Sequence, residues 1–219
     1  MRAFIGIGPG RCGTQSLARI VGACHNTYVS HEAFPSEWYE NSPNIGKLIL
    51  AFKQGIHPNW PDAAPGGLVG EVSCNLLPKI QAIRDPLPDL GIVCLHRPKA
   101  EVVESFLRWL KRYSLRPCDR LFNNPDRLNA RLPIIDAATA AQSWGFYWEM
   151  AEEIMRMVKP PVLHMHTKSL NDDFSVKNLF DFLDMPMCDR VLTDRRKWNS
   201  SKEPLWQTPS CKARVPLRS

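Results

Sequence analysis

A short apolar stretch at residues 3–7 runs directly into Gly8-Pro9-Gly10-Arg11-Cys12-Gly13-Thr14-Gln15-Ser16. Gly8 and Gly13 stand five positions apart, the spacing of the phosphate-cradling loop G-x-x-x-x-G-K-[ST]. Behind the loop, Leu17, Ile20, Val21 and Cys24 recur at i, i+3, i+4 and i+7, one face of a helix. Strand, glycine loop and helix therefore form one unit, with the helix's N-terminal amides and positive dipole end turned into the loop. The loop lacks the lysine. Thr14 follows the second glycine, and the loop's cation is Arg11, two positions before it. The chain has the cradle without the usual grip on a β/γ-phosphate.

The remaining pattern alternates buried strands with amphipathic helices. Apolar runs at 28–30, 68–72, 91–95 and 161–166 read as strands, and helices are expected over 45–52, 76–83, from Pro98 onward, over 139–158 and over 176–183. Trp144, Tyr147, Trp148, Ala151, Met155 and Val158 form a helical stripe, which is read as core. This alternation implies an α/β fold, a three-layer sandwich around a mainly parallel sheet. At 219 residues the chain is read as one domain, 1–219. Residues 55–67, rich in Gly and Pro, read as a surface loop. The weakly periodic stretch 113–138 reads as a variable, substrate-facing insertion, and the basic, irregular stretch 190–219 as a lid or tail.

A net charge of +6 favours an anionic partner: a nucleotide, a sulfated or phosphorylated substrate, or nucleic acid. Seven cysteines form no C-x-x-C pair and no metal-ligand spacing, so free thiols in a reducing compartment are expected. No run of eighteen apolar residues occurs, and a soluble, cytoplasmic protein without a membrane partner is expected.

A second anion signal ends the 91–95 strand. Arg97 leaves the strand at the crevice edge, Pro98 suits a helix start, and Ser105 lies on the second turn of that helix. A guanidinium and a hydroxyl so spaced can converge on one phosphate. A third cluster, Ser30-His31-Glu32-Ala33-Phe34, sets titratable groups at the end of another strand, where parallel α/β sheets place their ligand crevice.

Taken together, these residues resemble the sulfotransferases that use 3′-phosphoadenosine 5′-phosphosulfate, whose fold is like that of the P-loop nucleotide triphosphatases. Gly10, Arg11, Cys12, Gly13, Thr14, Gln15 and Ser16 look like the family's 5′-phosphosulfate loop, and Arg97 with Ser105, eight residues later, looks like its 3′-phosphate pair. His31-Glu32-Ala33-Phe34 stands where carbohydrate-type and bacterial members carry a catalytic Glu before an aromatic residue. The resemblance implies sulfuryl transfer to a hydroxyl or amine of a small-molecule or carbohydrate acceptor. In that reading Glu32 is the base, His31 is its rival, Arg11 stabilises the leaving phosphate, and no metal is required. It covers residues 5–183 in layout and about thirty residues in motif detail. The Arg-Lys-Gly-x-x-Gly-Asp-Trp segment of the cytosolic members is not present as such; Arg195-Arg196-Lys197-Trp198-Asn199-Ser200 is the candidate for a similar lid role.

Two other classes compete. A P-loop kinase would want a lysine where Thr14 stands, and an Asp for Mg²⁺ where His96 ends its strand. A basic nucleic-acid-binding module has the charge but no recognised fold motif. Other readings concern single residues. Glu71 and Ser73 end a strand at the crevice and are read as structural support. Cys12 at a helix start invites a reactive-thiol reading. His164 and His166, two apart on a strand, invite a metal reading without a third ligand.

Overall fold

The computed structural model describes residues 2–34, 43–54, 67–112, 139–188 and 191. Strands β1 (Arg2–Ile7), β2 (Thr27–His31), β3 (Leu68–Val72), β4 (Gly91–His96) and β5 (Val162–His166) form one sheet in the order β2-β3-β1-β4-β5, and every pairing is parallel. Each lies within one residue of its expected position; the central strands β1, β3 and β4 are largely buried and read as mostly apolar runs, whereas the edge strands β2 and β5 are only partly buried. Parallel neighbours need crossovers. These are α1 (Thr14–Gly22), α2 (Pro43–Gln54), α3 (Ile80–Arg84), α4 (Lys99–Arg112) and α5 (Ala140–Met157), with α6 (Asp173–Phe182) following β5.

Side-chain alternation divides the core into two layers. Ile5, Ile7, Val69, Ile92 and Cys94 meet Leu48, Ile83, Val102, Trp144 and Tyr147 from α2, α3, α4 and α5. On the other face Phe4, Leu68, Val72, Val93 and Leu95 meet Leu17 and Ile20 of α1 and Val176, Leu179 and Phe180 of α6. The expected stripe on α5 is core, with Trp144, Tyr147, Ala151, Met155 and Val158 all buried. Because α1 leaves β1 toward one face and α4 leaves β4 toward the other, a crevice opens between the carboxyl ends of those two strands.

Local chemistry moves some helix boundaries. The expected helix at 76–83 is broken into a 3-10 helix, Cys74–Lys79, and α3, since Pro78 has no N–H to continue an α-helical ladder. Ser73 caps that 3-10 helix, its Oγ accepting from the Asn75 amide at 3.1 Å. The helix expected at 176–183 begins at Asp173, because the Asp172 carboxylate accepts from the Ser175 amide at 2.7 Å and sets the start. Residues 113–138, the tail apart from Val191, and 55–66 of the expected loop lie outside the described residues.

The sheet is tightest where Phe4 pairs with Gly70. A Cβ at Gly70 would stand 2.5 Å from Cδ1 and 2.8 Å from Cζ of Phe4, whose ring is fully buried. Gly70→Ala is therefore expected to destabilise the fold by about 1–3 kcal/mol through overpacking. Urea denaturation measures this; an unchanged midpoint would show that the ring has room to move.

Candidate active site

The glycine loop turns sharply at two left-handed residues, Arg11 (φ 69) and Gly13 (φ 91). At Gly8 the chain passes so close to β4 that a Cβ would lie 2.7 Å from the Leu95 carbonyl oxygen and against the Cys12 sulfur. The loop is held from outside itself. Thr167 Oγ1, just past β5, lies 2.5 Å from the Cys12 carbonyl and 3.1 Å from the His96 carbonyl. The Tyr147 hydroxyl accepts from the Gly10 amide at 3.3 Å.

Arg11, Arg97 and Ser105 come together at this loop. Arg11 Nε donates to Ser105 Oγ at 3.3 Å, and an Arg97 Nη donates to the Arg11 carbonyl at 2.8 Å. Arg97 Nε also donates to Glu101 one helical turn on, at 3.2 Å, and the other oxygen of Glu101 meets Lys168 Nζ at 2.9 Å. Lys168 and Arg97 hold the Glu101 carboxyl below the usual carboxylate range. One carboxylate thus spaces two cations, Arg97 and Lys168, beside the Arg11 loop.

Not every loop amide faces outward. The Cys12 amide bonds the Pro9 carbonyl at 3.2 Å and closes the turn, and the Thr14 amide lies against the Cys12 sulfur. The amides of Gly13, Gln15 and Ser16 stand at a helix start, where no intrahelical acceptor exists. The Cys12 thiol itself is fully buried, and burial pushes it up to about 12. Burial outweighs the helix terminus here, which removes the reactive-thiol reading.

The end of β2 supplies the titratable groups. His31 Nε2 is 3.1 Å from Thr14 Oγ1, and burial lowers its pKa, with the Glu32 charge opposing that shift. Glu32 follows in the left-handed region, φ 55, its amide donating to the Val72 carbonyl at 3.2 Å. Its Oε1 accepts from the Cys74 thiol at 3.6 Å. His31 is thus tied to the glycine loop, whereas Glu32 stands beside β3.

At the end of β4, His96 turns away from the loop, its Nδ1 2.8 Å from Glu152 Oε2 on α5 and its Nε2 2.8 Å from His164 Nδ1. The His166 Nδ1 accepts from the Lys168 amide at 3.1 Å. Those nitrogens are engaged, and among the described residues no cluster of three or more His, Cys, Asp or Glu is arranged to hold a metal ion. Nor is any described helix long and apolar enough to cross a membrane.

No protein-family model and no curated protein matches this chain by sequence. The fold does find relatives. It is similar to a sulfotransferase from Alicyclobacillus acidocaldarius, with 19% identity, 85% of this chain over 82% of that one, and a TM-score of 0.58. It is also similar to the sulfotransferase domain from the curacin biosynthetic pathway, with 16% identity, 88% over 77%, and a TM-score of 0.52. A mouse sulfotransferase, SULT7A1, complexed with PAP, matches at 13% identity, 91% over 65%, with a TM-score of 0.53. The chain has the sulfotransferase fold.

Within that fold, sequence reading missed Glu101, Tyr147, Thr167 and Lys168 as parts of the crevice. Thr167 and Lys168 follow a strand's carboxyl end, which is a signal for the crevice, and Glu101 stands one helical turn from Arg97, a spacing that suits an ion pair; Tyr147 carries no signal, because its contact with Gly10 comes from distant chain.

Glu71, read as structural support, is a clamp. Fully buried at the end of β3, it accepts from the Ser30 hydroxyl, from the Ala33 amide at 3.0 Å, and from the Phe34 amide. It therefore grips both sides of Glu32. Burial raises its carboxyl from 4.5 to about 7; these hydrogen bonds oppose the rise, and the Glu32 charge adds to it. Since the folded state binds this proton more tightly than the unfolded state, the ionised clamp weakens the fold as pH rises through this window. From about pH 4.5 to 8 the loss is about 3 kcal/mol. Glu71→Gln should abolish it, so that the variant gains on the wild type by that amount over the range. His31, lowered by burial, acts in the opposite direction and is present in both proteins, so it drops out of the difference. Urea unfolding at several pH values checks this; parallel curves for the two proteins would exclude Glu71 as the titrating group.

Proposed function

We propose that this chain transfers the sulfuryl group of 3′-phosphoadenosine 5′-phosphosulfate to a hydroxyl or amine of a small-molecule or carbohydrate acceptor, in the cytoplasm and without a metal. The observation that carries the reading is the convergence of Arg11, Arg97 and Ser105 on a glycine loop without lysine. The helix-start amides of Gly13, Gln15 and Ser16, with Arg11, suit the 5′-phosphosulfate. Arg97 and Ser105 suit the 3′-phosphate, and Gly10 keeps the loop close to α5 through Tyr147. The mouse neighbour's complex with PAP supports a donor of this type.

Sulfuryl transfer passes through a loose transition state, by analogy with phosphoryl transfer, so catalysis rests on in-line positioning and on charge at the leaving oxygen. The bond between sulfur and the bridging phosphate oxygen breaks as a new bond from sulfur to the acceptor forms. Negative charge gathers on the leaving phosphate, where Arg11 meets it. The acceptor's proton passes to the Glu32 carboxylate. His31 is the weaker base candidate, because its Nε2 is engaged with Thr14 and its imidazole is half-buried. A kinase reading finds little support, since Thr14 replaces the lysine and His96 points at Glu152 rather than into the loop.

Binding separates these readings. 3′-Phosphoadenosine 5′-phosphate should bind without Mg²⁺ and far more tightly than ATP with Mg²⁺, and Arg97→Ala should weaken it by about 1.5–3 kcal/mol, roughly ten- to hundredfold. Tighter binding of Mg²⁺-ATP in calorimetry would overturn the assignment.

Glu32→Gln should leave that affinity within about twofold while lowering turnover by at least about a hundredfold. Labelled-donor assays across a panel of hydroxyl and amine acceptors measure the loss. Full activity in the variant would remove Glu32 as the base.

A further inference from the structure

We infer that Cys24 and Cys188 are a redox pair that closes to an intramolecular disulfide. Cys24 lies just past the end of α1 and Cys188 beyond α6, 164 residues later in the chain. Their sulfurs are 2.7 Å apart, against about 2.05 Å for an S–S bond. The backbone holds both in place: the Cys188 amide donates to the Cys24 sulfur at 3.3 Å, and the Cys188 thiol faces the Ala23 carbonyl at 3.6 Å. Only a small side-chain adjustment separates the thiol pair from the bonded one. Spacing in the sequence gives no hint of this pair, which is why all seven cysteines read there as unpaired.

Accessibility sets the order of events. Cys188 is half-buried, while Cys24 is only 7% exposed, so an external oxidant meets Cys188 first. With a low-molecular-weight disulfide as oxidant, the Cys188 thiolate attacks one of its sulfurs and expels one small thiolate. Cys24, once deprotonated, attacks the Cys188 sulfur of the mixed disulfide and expels the second. Two protein thiols are oxidised, one small disulfide is reduced to two thiols, and the two protons go to those products. In the dithiol state burial, and after it the hydrogen bond with Cys188, raise the Cys24 thiol to about 12; the burial remains in the mixed disulfide and makes closure the slow step. In a reducing compartment such a pair is reversible and sensing rather than permanent.

The bond would join the far end of α1, the helix that opens from the glycine loop, to the chain leaving α6. The inference does not depend on the transferase reading, and its test uses no activity. The full chain is incubated with excess oxidised glutathione, the remaining thiols are alkylated, and a non-reduced tryptic digest is analysed by mass spectrometry. The expected result is peptide 20–47 linked to peptide 178–190. Full alkylation of both thiols, a stable glutathione adduct on Cys188, or either cysteine paired elsewhere would overturn it. In thermal melts, oxidation should raise the wild-type midpoint by roughly 5–10 °C and leave Cys24→Ser unchanged. An equal rise in both proteins would place the oxidised site elsewhere and overturn the pairing.

Discussion

The glycine loop keeps its shape because distant chain grips it, and the crevice depends on that grip. Left-handed backbone at a non-glycine residue such as Arg11 costs about 1–2 kcal/mol. The charged hydrogen bond from Arg97 to the Arg11 carbonyl, in the range of about 1.5–3 kcal/mol, offsets it. Thr167 at the Cys12 carbonyl and Tyr147 at the Gly10 amide add further restraint. These partners come from the end of β4, the end of β5 and α5. A loop whose sequence is local is therefore fixed by three elements that must already be packed.

The same logic governs the end of β2. Glu32 sits in a left-handed conformation, and Glu71 spans it by bonding Ser30 on one side and Ala33 and Phe34 on the other. A carboxylate is a good clamp because it accepts several hydrogen bonds at once, and burial makes each of them stronger. Burial also makes the clamp sensitive to pH, since the ionised form is poorly solvated and lies near a second carboxylate. The turn that presents Glu32 is thus rigid at the expense of some stability above neutral pH.

Much of the fold was legible because its signals are local. The central strands are mostly apolar runs, the α5 stripe is periodic, and the glycine loop announces a strand-to-helix turn. Helix starts were less legible where a single side chain decides them, as Asp172 does for α6, or where Pro78 divides one helix into two. Of the crevice, the residues at strand ends could be read from sequence, since topology sends those ends to one side. The partners that orient them could not. Glu101, one turn from Arg97, gives its other oxygen to Lys168, and Tyr147 reaches Gly10 across 137 positions; these last two contacts lie in no window along the chain.

The missing lysine acquires a physical sense from this arrangement. A lysine after the second glycine would start α1 and carry its charge over that helix's N-terminus, at the position where Thr14 instead meets His31. Placing the cation at Arg11, on a left-handed residue before the second glycine, directs it toward α4, where Nε finds Ser105. The charge is thereby moved from the axis of α1 to the seam between β1 and β4, beside Arg97. Arginine suits that seam better than lysine. Its planar fork places several N–H donors in fixed directions, one of them Nε on the Ser105 hydroxyl, whereas an ammonium group is a single point of charge. A loop built this way turns its cation across the sheet toward α4, rather than along α1.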